Sequence, residues 1–284
     1  MARVLVTGAK GQLGTDLCAQ LAGRGIGVIP VDVDEMDITD GGACLQVIGG
    51  CKPDAIIHCA AYTAVDAAED NVDLCRKINA VGTENIVAAC KEWDIPLLYL
   101  STDYVFDGQG TRPWEPDDVR NPLNVYGQTK YEGEVAIEGA LSKYFIVRIS
   151  WVFGKNGKNF VDTMIRLGKE RGSVSVVDDQ IGSPTYTPDL SRLLADMIMT
   201  DKYGRYHATN EGLCSWYEFA CEIFRLSGMD VAVTPVDSSA FPVKAKRPKN
   251  SRMSKEKLDG AGFERLPAWE DALGRYLREK YKVR

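Results

Sequence analysis

The chain has 284 residues, enough for one large domain or two modest ones with a substantial core. A hydrophobic fraction of 45% with 26% charged residues is ordinary for a globular protein, and a formal net charge of −6 argues against broad binding to phosphate backbones, hence against a nucleic-acid function. No apolar run reaches membrane-spanning length, and the opening MARVLVTGAKGQLG has no secretory pattern, so neither a membrane span nor export is expected.

Residues 3–7 (RVLVT) are apolar and rich in β-branched side chains. They stop at Gly8, and a helical pattern starts near Gln12, which reads as strand, tight turn, helix. The turn runs Gly8-Ala-Lys10-Gly11-Gln12-Leu13-Gly14, a G-x-x-G-x-x-G spacing. Glycine serves where a backbone must turn sharply or approach a phosphate, and the helix behind it aims free N–H groups and its positive dipole end at the turn. A purely structural glycine turn is the alternative. Its position directly after the first strand favours a dinucleotide, with Gly8, Lys10, Gly11, Gln12 and Leu13 as contacts. A second strand over 27–32 ends in Asp32, where an acid for the adenosine ribose hydroxyls is expected. That carboxylate disfavours a 2′-phosphate and leans towards NADH, although Lys10 could still accommodate NADPH. Asp37 and Ile38 could line the adenine, while Thr39 or Asp40 could cap the next helix.

Residues 54–60 (DAIIHCA) form a nearly continuous apolar strand, as expected for a parallel sheet buried on both faces. His58 inside it reads as a locally satisfied strand histidine. Ala60, Ala61 and Thr63 follow at the carboxyl end, where ligands collect in open α/β sheets and small residues let a cofactor lie against backbone. A long helix over 72–93 carries Asn79, and a fourth strand over 96–101 ends in Ser101-Thr102-Asp103. The repeated order of strand, turn and helix predicts an α/β fold, a Rossmann-type right-handed doubly wound parallel sheet. The polar loop over 103–125 is long enough to suggest function. It delivers Tyr126-Gly-Gln-Thr-Lys130, a phenol and an ammonium one helical turn apart. The ammonium is expected to lower the phenol's pKa and make an acid/base pair; the spacing alone also arises on ordinary surface helices.

Strands over 144–150 and 173–179, a Gly/Pro loop over 180–188, a helix over 189–199 and a short strand over 204–208 come next. A capped amphipathic helix over 215–226, a strand over 231–236 and a helix over 269–281 complete the chain. Residues 1–172 are expected to form the dinucleotide-binding domain, and 173–284 mainly a smaller α/β substrate lobe, with some later elements returning to the first. The eight cysteines contain no C-x-x-C and several lie in apolar runs, so they are read as reduced thiols in a cytosolic protein. With two histidines and no clustered ligands, no metal site is assigned.

GAKGQLG, Thr102 at a strand end and YGQTK together resemble the extended short-chain dehydrogenase/reductase family. CAAYTAVDAAE, STDYVFDG, RISWVFG, DDQIGSPT and RPKNSRM extend the likeness to members acting on dTDP-linked sugars, from Ala2 to about Met253. The resemblance implies hydride transfer from NADH or NADPH to the C4 ketone of a dTDP-linked 6-deoxy-4-keto-L-sugar. Tyr126 would then donate the proton, Lys130 would hold down the phenol's pKa and clamp the nicotinamide ribose, and Thr102 would bond the carbonyl oxygen. Neighbouring dehydratases carry a glutamate after Thr-Asp; Tyr104 stands there in this chain and cannot act as that base. Asp103 is either a structural or a catalytic carboxylate. Val65 is a candidate pocket wall, and Tyr104, Phe106 and Trp151 are either sugar contacts or core aromatics. Asn159, Phe160, Asp179, Gln180 and Arg247 resemble nucleotide-sugar contacts, with Arg247 either bidentate on the diphosphate or a solvated charge. The resemblance also implies a homodimer, and some members bind Mg2+ at its interface; Asp16 and Asp189 alone are too few oxygen ligands to assign it. A non-catalytic NADP-binding regulatory subunit and a nucleotide-sugar epimerase with the same three residues stand as alternatives.

Overall fold

The computed structural model describes residues 2–283. β1 (Arg3–Thr7) passes through the glycine turn into α1 (Gln12–Gly23), β2 (Gly27–Val31) into α2 (Gly41–Cys51), and β3 (Ala55–His58) into the short α3 (Val65–Ala68) and α4 (Val72–Arg76). A π-helical turn over Lys77–Val81 joins α4 to α5 (Gly82–Glu92), followed by β4 (Leu97–Thr102), α6 (Val125–Ala140) and β5 (Tyr144–Ile149). The chain then builds outside the sheet with β6 (Val152–Phe153), α7 (Phe160–Arg171), β7 (Ser173–Val177), β8 (Ile181–Gly182) and β9 (Thr185–Tyr186). It returns with α8 (Thr187–Met197), packed beside α1, and β10 (Gly204–His207), which pairs parallel to β5. β11 (Asn210–Glu211), β12 (Cys214–Ser215), α9 (Trp216–Leu226), β13 (Ala232–Val236), α10 (Glu256–Gly260), β14 (Leu266–Ala268) and α11 (Trp269–Tyr281) complete it.

Six parallel strands stand in the order β2–β1–β3–β4–β5–β10. The direction of winding reverses between β1 and β3, which opens a crevice beyond their carboxyl ends, the place where such sheets hold ligands. Both faces are apolar because alternate residues point opposite ways. Val4, Val6, Ile57 and Leu100 face α1 and α8, whereas Leu5, Ile56 and Ile146 face α2, α5 and α6. A separate core around Phe153, Ile165, Phe219, Ile223 and Tyr276 joins α7, α9 and α11, beside the parallel pair β7–β13.

The helix expected over 72–93 is interrupted by the π turn. Thr83 Oγ1 donates to the Asn79 carbonyl at 2.6 Å, and the Asn79 side chain accepts from Tyr62 N at 2.8 Å while donating to Tyr62 O at 3.1 Å. The irregular turn thus fastens the segment after β3 to the helix layer, and such turns gather at functional sites. The expected strand over 54–60 ends at His58, which frees the backbone of Cys59–Thr63 to face the crevice.

Candidate active site

A cleft of about 1200 Å³ follows the carboxyl ends of β1 to β5. At one end lies the glycine turn. Gly8 has φ +64°, and a Cβ on it would stand 2.8 Å from Ala60 N, so only glycine lets the turn close against the end of β3. Gly11 caps α1 without any side-chain hydrogen bond, leaving the first N–H groups of a 12-residue helix directed at the cleft. Ala60, Ala61 and Thr63 line the opposite wall. Small walls and an uncapped helix end suit a pyrophosphate flanked by a nucleoside.

Asp32 sits beside them. Its two oxygens accept from Lys10 N and Val33 N, both at 2.9 Å, which fixes the carboxylate at the rim. The Lys10 ammonium pairs with Asp34 at 2.9 Å and Glu35 at 3.1 Å. Asp37 and Ile38 line the same end, and Asp40, accepting from Ala43 N at 3.1 Å, is the residue that caps α2.

At the other end Thr102, Tyr126 and Lys130 meet. Asn124 caps α6 by accepting from Gly127 N at 2.8 Å, which sets Tyr126 and Lys130 in its first two turns. Thr102 closes β4; its hydroxyl accepts from Tyr104 N at 3.1 Å and donates to Asp103 Oδ1 at 3.0 Å. Burial pushes Asp103 up to about 6, against the pull of the Ser251 and Thr102 hydroxyls that donate to it.

The phenol differs from expectation. Burial holds the Tyr126 pKa well above its ordinary value, the Asp103 charge adds to this, and a hydrogen bond with Thr102 offsets only part. No ammonium lowers it. Lys130 Nζ lies 4.0 Å from the centre of the Tyr99 ring, a cation–π contact, and burial brings the lysine itself down to about 7, with Glu134 on the next helical turn the largest opposing influence. Desolvation in a closed site outweighs the pairwise effect inferred from spacing.

Val65, Asp103, Tyr104 and Trp151 line this same end of the cleft. Trp151 has φ +51°, a left-handed conformation costing about 1 kcal/mol or more, and its indole stacks on Trp216 with centroids 3.7 Å apart. Arg247 is not in the cleft wall. Its guanidinium is bidentate on Asp66, at 3.0 and 2.6 Å, which holds it away from the cleft. Phe106 is a core ring, fully buried and stacked on Trp114 at 4.7 Å. Asn159 caps α7, Phe160 packs on Trp216, and Asp179 holds Ser238 and Lys249. Asp189 is engaged by Arg275 and Asn210, while Asp16 accepts from Thr187 at 2.5 Å. Among the described residues no three His, Cys, Asp or Glu side chains converge as a metal site.

Sequence reasoning passed over Met36, Leu74, Lys77, Ile78, Lys158 and Trp216, which also line the cleft. The aromatic start of α9 was the one available signal for Trp216. Nothing local marked the rest.

A sequence model of the family described as RmlD substrate binding domain matches residues 2–282. The spore coat polysaccharide biosynthesis protein SpsK of Bacillus subtilis is 39% identical, over 99% of this chain and 98% of that protein. A dTDP-4-dehydrorhamnose reductase of Streptomyces griseus is 42% identical, over 95% and 91%. The crystal structure of dTDP-4-dehydrorhamnose reductase from Bacillus anthracis in complex with NADP superposes with a TM-score of 0.95 at 46% identity, covering 98% of this chain and 100% of that one. With the glycine turn, the doubly wound parallel sheet and the Thr102, Tyr126, Lys130 end of the cleft in place, the chain belongs to the RmlD substrate binding domain family of extended short-chain dehydrogenases/reductases.

Proposed function

We propose that this protein reduces the C4 ketone of dTDP-4-dehydro-6-deoxy-L-mannose with NADH or NADPH, giving dTDP-L-rhamnose. The observation that carries the reading is the single cleft that begins at the glycine turn and ends at Thr102, Tyr126 and Lys130. The activities by which the relatives are named agree with it. The cofactor would lie from the uncapped start of α1, past Asp32 and the Ala60–Thr63 wall, to Lys130, and when bound it supplies the hydride.

The protein's part is positioning and proton delivery. Tyr126, buried and held neutral far above neutral pH, keeps its proton while the substrate is a ketone. As the oxygen becomes an alkoxide, roughly as basic as hydroxide, it takes that proton even from so weak an acid. Thr102 stands beside the phenol; its one hydroxyl proton, held by Asp103 in this state, would turn from the carboxylate to the same oxygen as negative charge develops there. Lys130 would meet the ribose hydroxyls of the cofactor. Trp151, stiffened by Trp216, walls the sugar, and residues 173–284 mainly serve the substrate. Asp32, Asp34 and Glu35 at the adenosine end favour NADH, with Lys10 the nearest cation for a 2′-phosphate. The resemblance also carries a homodimer, which light scattering would test, and the unpaired cysteines favour a cytosolic compartment.

The deciding assay supplies dTDP-glucose, the upstream dehydratase and the 3,5-epimerase, and follows oxidation of NADH or NADPH. Oxidation with dTDP-L-rhamnose as product is expected. No oxidation with either cofactor overturns the reading. Nucleotide that stays bound through purification would point to an epimerase, since a reductase exchanges its cofactor at every turnover.

A further inference from the structure

Beneath the active site lies a charged cluster that the reaction as written does not use. Glu134 and Arg148 are both fully buried. Glu134 Oε1 accepts from Ser101 Oγ at 2.5 Å and Arg148 Nε at 2.8 Å; Oε2 accepts from Arg148 Nη2 at 2.8 Å and Arg120 Nη1 at 2.9 Å. Arg148 Nη1 donates to Pro116 O at 2.8 Å and lies 3.3 Å from His207 Nε2. Arg120 also pairs with Glu138, which takes Arg205 as well.

A buried ion pair is a poor route to stability, because desolvation cancels most of the attraction and apolar replacements are often neutral or better. Its location is more telling. Ser101 immediately precedes Thr102 on β4, and Glu134 follows Lys130 by one turn on α6. One carboxylate thus touches the strand end that presents Thr102 and the helix turn that presents Lys130.

We propose that Glu134 is a positioning residue of the active site: from one turn beyond Lys130, clamped by Arg148 and Arg120, it keeps the lysine charged and locks β4 to α6. This rests on the reductase reading only in giving the lysine its task. The groups around Lys130 are His58 and Cys59 at the end of β3, Cys75 on α4, Tyr99 on β4, and Tyr126 and Glu134 on α6. His58 is held neutral by burial, and burial raises both thiols and both phenols, so Glu134 is the one charged group of the six. Arg148 and Arg120 set how much of that charge the lysine feels, since burial alone would raise Glu134, and Arg148 first, then the Ser101 hydroxyl and Arg120, bring it down to about 2.

The test uses two variants with opposite expected signs. Glu134→Gln keeps shape and an acceptor for Ser101 but removes the charge. Its alkaline limb of kcat/KM should move to lower pH by about one unit or more, losing roughly tenfold per unit above the midpoint and recovering at lower pH. Arg120→Gln removes a cation at the rim, where its side chain is 16% exposed, and should move the limb to higher pH. If both variants lower the plateau with the midpoint unmoved, Glu134 is merely structural and the proposal fails. If Glu134→Gln does not fold, the Arg120→Gln limb decides by itself: an upward shift supports the proposal and an unmoved one overturns it. The same midpoint is read from NADH affinity against pH by fluorescence titration. That measurement needs no sugar, so failure of sugar reduction is distinguishable from failure of this inference.

Discussion

The Thr102 hydroxyl donates to the Asp103 carboxylate at 3.0 Å, and the Ser251 hydroxyl donates to its other oxygen at 2.5 Å. One buried acid therefore orients the Thr102 hydroxyl and ties the C-terminal segment to the strand end. Burial raises Asp103 from an ordinary 3.8 to about 6. Between those values the folded state keeps a proton the unfolded state has released, so stability falls as pH rises through this window and stays lower above it. Asp103→Asn should accordingly raise the melting temperature near pH 8, with the gain vanishing near pH 4, while kcat falls because an amide offers one acceptor oxygen where the Thr102 and Ser251 hydroxyls now use two. Melting curves at both pH values check this; a gain confined to acid pH contradicts it.

Tyr126→Phe removes one oxygen from a half-buried ring and changes little else. If the phenol is the proton donor, kcat should fall by about 10²- to 10⁴-fold. Affinity for NADH, measured by fluorescence titration without sugar, should stay within about twofold of wild type, because the glycine turn, Asp32 and Lys130 are untouched. Near wild-type turnover would remove Tyr126 from the mechanism.

These expectations began with local signals, and those are where the sequence was legible. The change from strand to helix periodicity around Gly8 places the nucleotide, since turn, close approach and helix dipole involve only neighbouring residues. The crevice wall at Ala60–Thr63 was readable for the same reason. What depends on distant partners was not. Arg148 lies in an apolar strand, and its partner Glu134 lies on the preceding helix, a pairing that no local pattern records. For Arg247 the basic neighbours leave a diphosphate ligand and a solvated charge both open, whereas Asp66 holds it. The phenol's pKa went the other way because a spacing of four residues records proximity but not desolvation.

Cofactor choice should be set at the rim. Asp32→Asn keeps an acceptor oxygen and weakens the repulsion of a 2′-phosphate, so the ratio of kcat/KM for NADH to that for NADPH should fall several-fold. Lys10 exchanges its pairs with Asp34 and Glu35 for the phosphate at little cost, as exposed ion pairs contribute at most about 1 kcal/mol. Lys10→Ala should therefore raise KM for NADPH more than for NADH. If neither variant changes the ratio, the rim does not discriminate.

The two histidines predict how the fold fails in acid. His58 lies between Thr7 Oγ1 at 2.7 Å and Thr83 Oγ1 at 3.2 Å, and His207 lies against Arg148. Burial lowers both from an ordinary 6.5 to about 3. Below pH 6.5 the unfolded chain binds protons that the folded chain refuses, so stability drops as pH falls towards 3, by up to about 1.4 kcal/mol per pH unit for each histidine. Asp103 opposes this between about 6 and 3.8, whereas Glu134, held at about 2 against an ordinary 4.5, adds to the loss below 4.5. The free energy of urea unfolding should thus fall most gently between about pH 6 and 4.5 and steepen below. His58→Gln keeps groups able to meet Thr7 and Thr83 without a titrating site, and should remove about one proton from the slope below pH 6.5. An unchanged slope in that variant would mean that His58 takes its proton in the folded state, contrary to its burial between two hydroxyls.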